Sequence, residues 1–464
     1  MMKKMAAGLS VLLGFLFLTA YIRSATVDVV YTDYIRLILS YLPEVSSIRP
    51  YLQGDVLTRI PITWPVRLVN VTFFGYSTTF DMLLGAAGLG LCAFYAARFC
   101  LRLETGLPVL LAAIFLVFSL DKWEMLTNGT GWMHFWAIAC FYRHFLIYDR
   151  VRAGEGKRGD ELRLILLPVL TVLLVSGPYC AAWAAAVVCV YSLDGLRQGF
   201  SRTWLIRLLA VVCPVLLFMA SRAVSVEDIA GATDLSLSEA LRTQPGTILS
   251  LFLKSFAALA IGGETAAEAG IPGGVLLCEG IVILTAYSLC LALNLRRRLY
   301  ERSVLPLLLL LMGLASHVLI TASRWIFLND MYGMSSRYAL QYMSGSLGIL
   351  LTLTLAGREM QPSRKDAGGP DGPRRISALR AFAWGILALI LTGQILTTAR
   401  EIRMAPYRQE AFYEMQEAAV NYQDYEDDDL KTILQYRDPA KIRRALEILQ
   451  EHHWNVFRPE AGED

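Results

Sequence analysis

The sequence predicts an all-α chain that crosses a membrane about eleven times. Three observations carry that reading. The 464 residues are 55% hydrophobic and only 18% charged, an apolar excess beyond that of an ordinary soluble domain. Apolar runs long enough to cross about 30 Å of hydrocarbon recur from end to end. Between them, the loops on alternate sides are basic: "DRVRAGEGKRGDELR", "DGLRQGFSR", "NLRRRLYER" and "GREMQPSRKDAGGPDGPRR", which places those loops in the cytoplasm. The formal charge of +3 says little, and no nucleic acid is expected as a partner.

The elements follow in chain order. Residues 1–22 hold Lys3 and Lys4 ahead of "LSVLLGFLFLTAY". Cleavage as a signal peptide would need small residues at the last and third-last positions, but Arg23 precedes Ala25 by two and Leu18 precedes Ala20 by two. An uncleaved signal anchor with a cytoplasmic N-terminus is expected. Residues 23–79 form a long external loop rich in aromatics, Arg and Pro, too apolar for disorder, so short helices on the membrane surface are expected there. The membrane domain, 80–397, reads as ten further spans: Phe80–Phe99, Leu107–Leu120, Trp132–Tyr148, Leu162–Val175, Tyr179–Leu193, Trp204–Ser221, Val275–Leu293, Val304–Ala322, Leu340–Leu355 and Phe382–Thr397. Gly177 and Pro178 break one overlong apolar run. The stretch "TILSLFLKSFAALAIGG" around Lys254 reads as an external or re-entrant helix. Residues 398–464 form an external helical tail, with Asp438 as N-cap and Pro439 opening its last helix. An odd number of spans puts this tail on the face of the first loop.

Cysteines and acids narrow the chemistry. The eight cysteines lie in or at the ends of apolar segments with no CxxC pair, so neither a disulfide framework nor a cysteine metal site is expected. The acidic stretch "DYEDDD" lacks the glycine and alternate-acid spacing of a calcium loop. No cofactor is expected, and nothing in the sequence supports a divalent metal.

Four groups of residues remain as candidates. In "SATVDVVYTDYIRLILSYLPEV", Asp28 and Asp33 flank the start of a helix whose apolar positions are Tyr34, Leu37, Ile38 and Tyr41. There either Thr32 or Asp33 caps the helix and Asp33 pairs with Arg36, or Asp33 serves as a base at the hydrocarbon boundary. The stretch "DKWEMLTNGTGWMHFW" offers Trp123, Glu124, Asn128, Trp132 and His134, indoles and hydrogen-bonding groups suited to a sugar acceptor. In "SRWIFLNDMYGMSSRYALQY", Arg324 and Arg337 could fork onto a lipid phosphate, with Gly333, Ser335 and Ser336 offering backbone N–H groups. Arg67 and Arg222 are weaker candidates for the same anion. Glu279 is an isolated intramembrane carboxylate, expected to face the same cavity or to pair with Lys254.

An acidic residue early in a long first external loop, many spans of uneven length, elaborate outer loops and an external C-terminal module together resemble the GT-C class of polytopic membrane glycosyltransferases. The tail "RDPAKIRRALEILQEHHWNVFR" is also similar to the ending of many bacterial multi-span proteins of this type. The resemblance implies a polyprenyl-phosphate sugar donor, a glycan or lipid acceptor at the outer face of a bacterial cell membrane, and a first-loop acid as catalytic base, Asp33 first and Asp28 second. Many members have two adjacent acids, whereas "VVYT" separates these two. The competing expectations are a transporter or flippase of lipid-linked sugars, and a non-catalytic membrane assembly protein.

Overall fold

The computed structural model describes residues 1–50, 60–222, 231–359 and 372–459, and among these the chain is all-α, with no strand. Part of the expected surface loop, 51–59, residues 360–371 of the basic loop "GREMQPSRKDAGGPDGPRR" and the side chain of Arg222 lie outside the described residues.

Helix α1 (Met2–Ala25) leads into the first loop, which carries α2 (Asp33–Tyr41) and α3 (Thr63–Phe74). The bundle follows as α4 (Thr78–Arg102), α5 (Leu107–Phe118), the short α6 (Trp123–Asn128), α7 (Trp132–Arg152), α8 (Asp160–Leu174), α9 (Cys180–Gln198) and α10 (Arg202–Arg222). After it come α11 (Leu237–Thr243), α12 (Pro245–Ala257), α13 (Gly263–Glu268), α14 (Gly273–Arg296), α15 (Leu299–Arg302), α16 (Leu305–Arg324) and α17 (Ser336–Glu359). A long helix, α18 (Gly372–Val420), leads to α19 (Asp427–Ile433) and α20 (Pro439–Glu451).

All eleven apolar segments are helical, and among the described residues eight helices are long and apolar enough to cross a membrane. They mark the chain as a multi-helix integral membrane protein. The other three segments differ for physical reasons. Helices α5, with 12 residues, and α8, with 15, reach only about 18 and 22 Å at 1.5 Å per residue. Helix α7 has the length, but Arg143, His144 and Asp149 interrupt its apolar surface. The 13-residue α12 is too short to span, in keeping with an external or re-entrant helix.

Within the bundle, helices approach through small residues. A Cβ on Gly313 of α16 would lie 2.6 Å from the Cα of Gly345 on α17. Such backbone proximity supplies the dispersion contact that holds helices together where lipid removes the hydrophobic drive. The break between α8 and α9 falls at a 3-10 turn, Gly177–Tyr179.

The first loop and the tail share one hydrophobic core. Ile35, Ile38 and Tyr34 of α2 are buried with Leu434, Ile442, Leu446 and Leu449 of the tail, and Tyr31 packs edge-on against Phe412, ring centroids 5.2 Å apart. In water each fully buried Leu or Ile contributes about 1.5–3 kcal/mol, so this core binds the two ends of the chain into one module. Asp438 caps α20 as expected, its carboxylate accepting from the Lys441 N–H at 3.2 Å, with Pro439 the first residue of the helix. The boundary at 397/398 is no break, since α18 runs without interruption from the bundle into the tail.

Candidate functional site

The face carrying the first loop and the tail is organised by two carboxylates that the sequence presents as alternatives. Asp28 is fully engaged. Its Oδ1 accepts from the Thr78 N–H at 2.7 Å, the Thr78 hydroxyl at 2.9 Å and Asn455 Nδ2 at 3.1 Å, and its Oδ2 accepts from Arg458. It therefore caps α4 and moors the tail. Asp33 is the opposite case. Its side chain is 46% exposed, its one ion pair is with Arg36 at 3.7 Å, and no described residue donates a hydrogen bond to it.

The backbone before Asp33 is unusual. Thr32 sits at φ 44°, ψ −120°, and the Tyr34 N–H closes a turn onto the Tyr31 carbonyl at 3.0 Å. This is the first central position of a type II′ turn, where glycine is the usual residue. A β-branched residue at positive φ is strained. The tail holds it there, since the Thr32 N–H donates to the Leu434 carbonyl at 2.9 Å. Thr32 makes no side-chain cap bond to α2 and Asp33 is the helix's first residue, so neither caps the helix through its side chain; the expected pairing with Arg36 is present.

Within the electrostatic reach of Asp33 stands Arg337, the second residue of α17, 52% exposed. Its Nε donates to Glu124 on α6, leaving the terminal Nη groups without a bond to any described residue. Asp33 and Arg337 act on each other electrostatically. Tyr31 lies in the fields of Glu124, Arg337, Asp33 and Arg408, and burial pushes its phenol well above the ordinary range. The Ser336 hydroxyl is 3.1 Å from both Glu124 Oε2 and Glu264 Oε1. It has one proton, so it can donate to only one of them at a time. Arg408 covers the ring of Trp123, 3.2 Å from its centroid, and forks onto Glu401, which also accepts from Arg400 at 2.5 Å.

Arg324, in the last turn of α16, adjoins this group through Tyr338. Its guanidinium is 5.6 Å from the Tyr338 ring centroid, and Tyr338 feels both Arg324 and Arg337. The Nε of Arg324 is buried without a hydrogen-bond partner.

Other candidates have settled roles. Trp132 is 3% exposed and packs with Ile60 and Met133, which leaves no ring face for a sugar. His134 stacks on Tyr179 with centroids 4.1 Å apart. The Asn128 carboxamide turns back onto Thr130, accepting from its N–H at 3.2 Å. Lys122 folds onto the end of α5, its Nζ 2.9 Å from the Ser119 carbonyl and 2.5 Å from Asp121. Arg67 is buried against Asp81 at 3.2 Å, a carboxylate that also accepts from Tyr34 and Asn70. Gly333 serves packing, because a Cβ there would meet Ser255 at 3.0 Å. Glu279 has no hydrogen bond or ion pair to any described residue, and its expected partner Lys254 pairs instead with Asp330 at 2.5 Å. Among the described residues no group of three or more His, Cys, Asp or Glu is placed to hold a metal.

Sequence reasoning missed Tyr31, Glu264, Glu401 and Arg408. Glu264 and Arg408 are distant in the chain from the cluster they join, and nothing local distinguishes them from surface charges. Compared with protein-family models, curated proteins and solved structures, the chain matches none.

Proposed function

We propose that this protein is a membrane glycosyltransferase that moves a sugar from a polyprenyl-phosphate donor to a glycan or lipid acceptor on the outer face of a bacterial cell membrane. Asp33 takes the proton of the acceptor hydroxyl as its oxygen attacks the anomeric carbon. The bond from that carbon to the carrier phosphate oxygen breaks, and the electron pair leaves with the phosphate. The Nη groups of Arg337 and the Nε of Arg324 receive its charge, and attack opposite the leaving group inverts the anomeric centre.

The observation that supports this reading is the contrast between the two acids. The Asp28 carboxylate already accepts from four donors, whereas no described residue donates a hydrogen bond to Asp33, which lies in the field of an arginine whose Nη groups bond no described residue. A base needs a free lone pair within reach of the proton it takes.

The test compares Asp33→Asn with Asp28→Asn in a transfer assay on purified protein, with thermal unfolding measured in parallel. Asp33→Asn is expected to lose activity by about a hundredfold or more while remaining folded and donor-bound. Asp28→Asn is expected to lose stability first, by releasing Arg458. In the same assay Arg337→Gln should weaken donor binding by about 1.5–3 kcal/mol. A fully active Asp33→Asn enzyme would remove the base from this position and with it the proposed reaction.

A further inference from the structure

At the far ends of α4, α7 and α8, away from the first loop and tail, lies a cavity of about 430 Å³ lined by Arg98, Arg143, Arg150, Lys157, Arg163 and Tyr95, with Phe94 at its edge. The five cations meet little opposing charge. Asp160 pairs with Arg150 at 2.6 Å and with Arg163 at 3.0 Å. The side chains of Arg98, Arg143 and Lys157 have no ion pair or hydrogen bond with any described residue, and both arginines act on the Tyr95 phenol. With Asp160 paired and Glu155 also acting on Arg150, positive charge remains in excess around the cavity.

The position of Arg143 sharpens the point. It lies nine residues before the end of α7, about 14 Å along the helix axis, and its side chain is exposed. An ionisable residue that far inside a long helix of a membrane protein ordinarily faces the bundle interior or a water-filled cavity, or pairs with another group. Arg143 lines the cavity and has no ion-pair or hydrogen-bond partner among the described residues, which leaves its charge available to a ligand.

We propose that this cavity binds a phosphate group, held by the guanidinium forks of Arg98 and Arg143 with Lys157 as an added point charge. The open, aromatic-edged mouth between helix ends suits the headgroup of an anionic phospholipid, the recurring ligand of basic pockets between membrane helices. A soluble phosphate offers the same chemistry. The inference does not depend on the transferase reading, because none of these residues belongs to the Asp33 face.

The experiment uses full-length protein in nanodiscs of phosphatidylcholine carrying a trace of fluorescent phosphatidic acid, with retention of the label measured by energy transfer from the protein. Inorganic pyrophosphate is titrated in a second arm. Arg98→Gln and Arg143→Gln should each lower the affinity for the phosphate-bearing probe about tenfold or more without lowering the unfolding temperature, since neither side chain has a protein partner to lose. Arg143→Lys should recover part of the binding. Arg158→Gln, in the same loop but outside the cavity lining, should leave it unchanged. Displacement of the lipid by pyrophosphate would identify a soluble anion as an alternative occupant of the same site, and retention would identify the headgroup. Binding unaltered by either arginine substitution, or lowered equally by Arg158→Gln, would overturn the proposal and reduce the cavity to arginines that anchor helix ends in the headgroup layer.

Discussion

Thr32 shows how a single residue can set a reagent in place. It holds a turn position that favours glycine, at φ 44°, and a backbone bond from the tail fixes it there. Such strain costs of the order of 1–3 kcal/mol and persists only where the surroundings over-determine it. Glycine would relieve the strain but give back about 0.5–1 kcal/mol in chain entropy. Thr32→Gly is therefore expected to stabilise the protein by about 1 kcal/mol, read as a higher unfolding temperature in detergent. Under the proposed mechanism it should also lower transfer by loosening the approach of Asp33. A stability decrease would mean that Thr32 side-chain packing outweighs its backbone strain. The sequence placed both acids near the start of this helix and ranked Asp33 first, but it did not show what holds Asp28. What distinguishes them is the donor set of Asp28, of which Asn455 and Arg458 come from the other end of the chain.

At the scale of elements, apolar length was legible and counter-charge was not. Every segment read as a span is a helix, because an apolar run must satisfy its backbone internally. Helices α5, α7 and α8 fall outside the eight that are long and apolar enough to cross, since an apolar run in sequence does not reveal whether its helix crosses or stops part-way. Lys254 illustrates the second limit: its partner, Asp330, lies beyond α16, and no local pattern links the two. Burial alone would push the Asp330 carboxyl up, but hydrogen bonds from Lys254 and Ser250 prevail and hold it below its ordinary value of 3.8. A carboxyl depressed by folding adds stability that is present above the unfolded value and is lost as pH falls through the folded one. The tie between α12 and the 329–331 turn should thus weaken below about pH 4. Thermal unfolding of wild type and Asp330→Asn should differ at pH 6, with the gap closing as the pH is lowered towards 3. A gap that stayed constant would show that the pair contributes through packing and not through charge.

For the whole molecule, the decisive arrangement is that both ends of the chain meet on one face. The first loop and tail share a core, so they lie on the same side of the membrane whichever way the protein is inserted. Helix α4 carries the chain from that face, where Thr78 meets Asp28, to the opposite one, where Arg102 meets Asp149 and Glu155. Its 25 residues cover about 37 Å, enough to cross. The orientation then rests on charge. The loops at the far ends hold Arg150, Arg152, Lys157, Arg158, Arg197 and the run Arg296–Arg298, and retention of such loops predicts that the far face is cytoplasmic and the tail external. In a background lacking the eight native cysteines, a cysteine replacing the exposed Asn421 should react with an impermeant thiol reagent on intact cells, and one replacing Gly156 should react only after lysis. Because the shared core already ties the tail to the Asp33 face, this one measurement also places the proposed chemistry. Labelling at 156 but not at 421 in intact cells would reverse the insertion, put Asp33 and Arg337 on the cytoplasmic side, and rule out transfer to an acceptor at the outer surface.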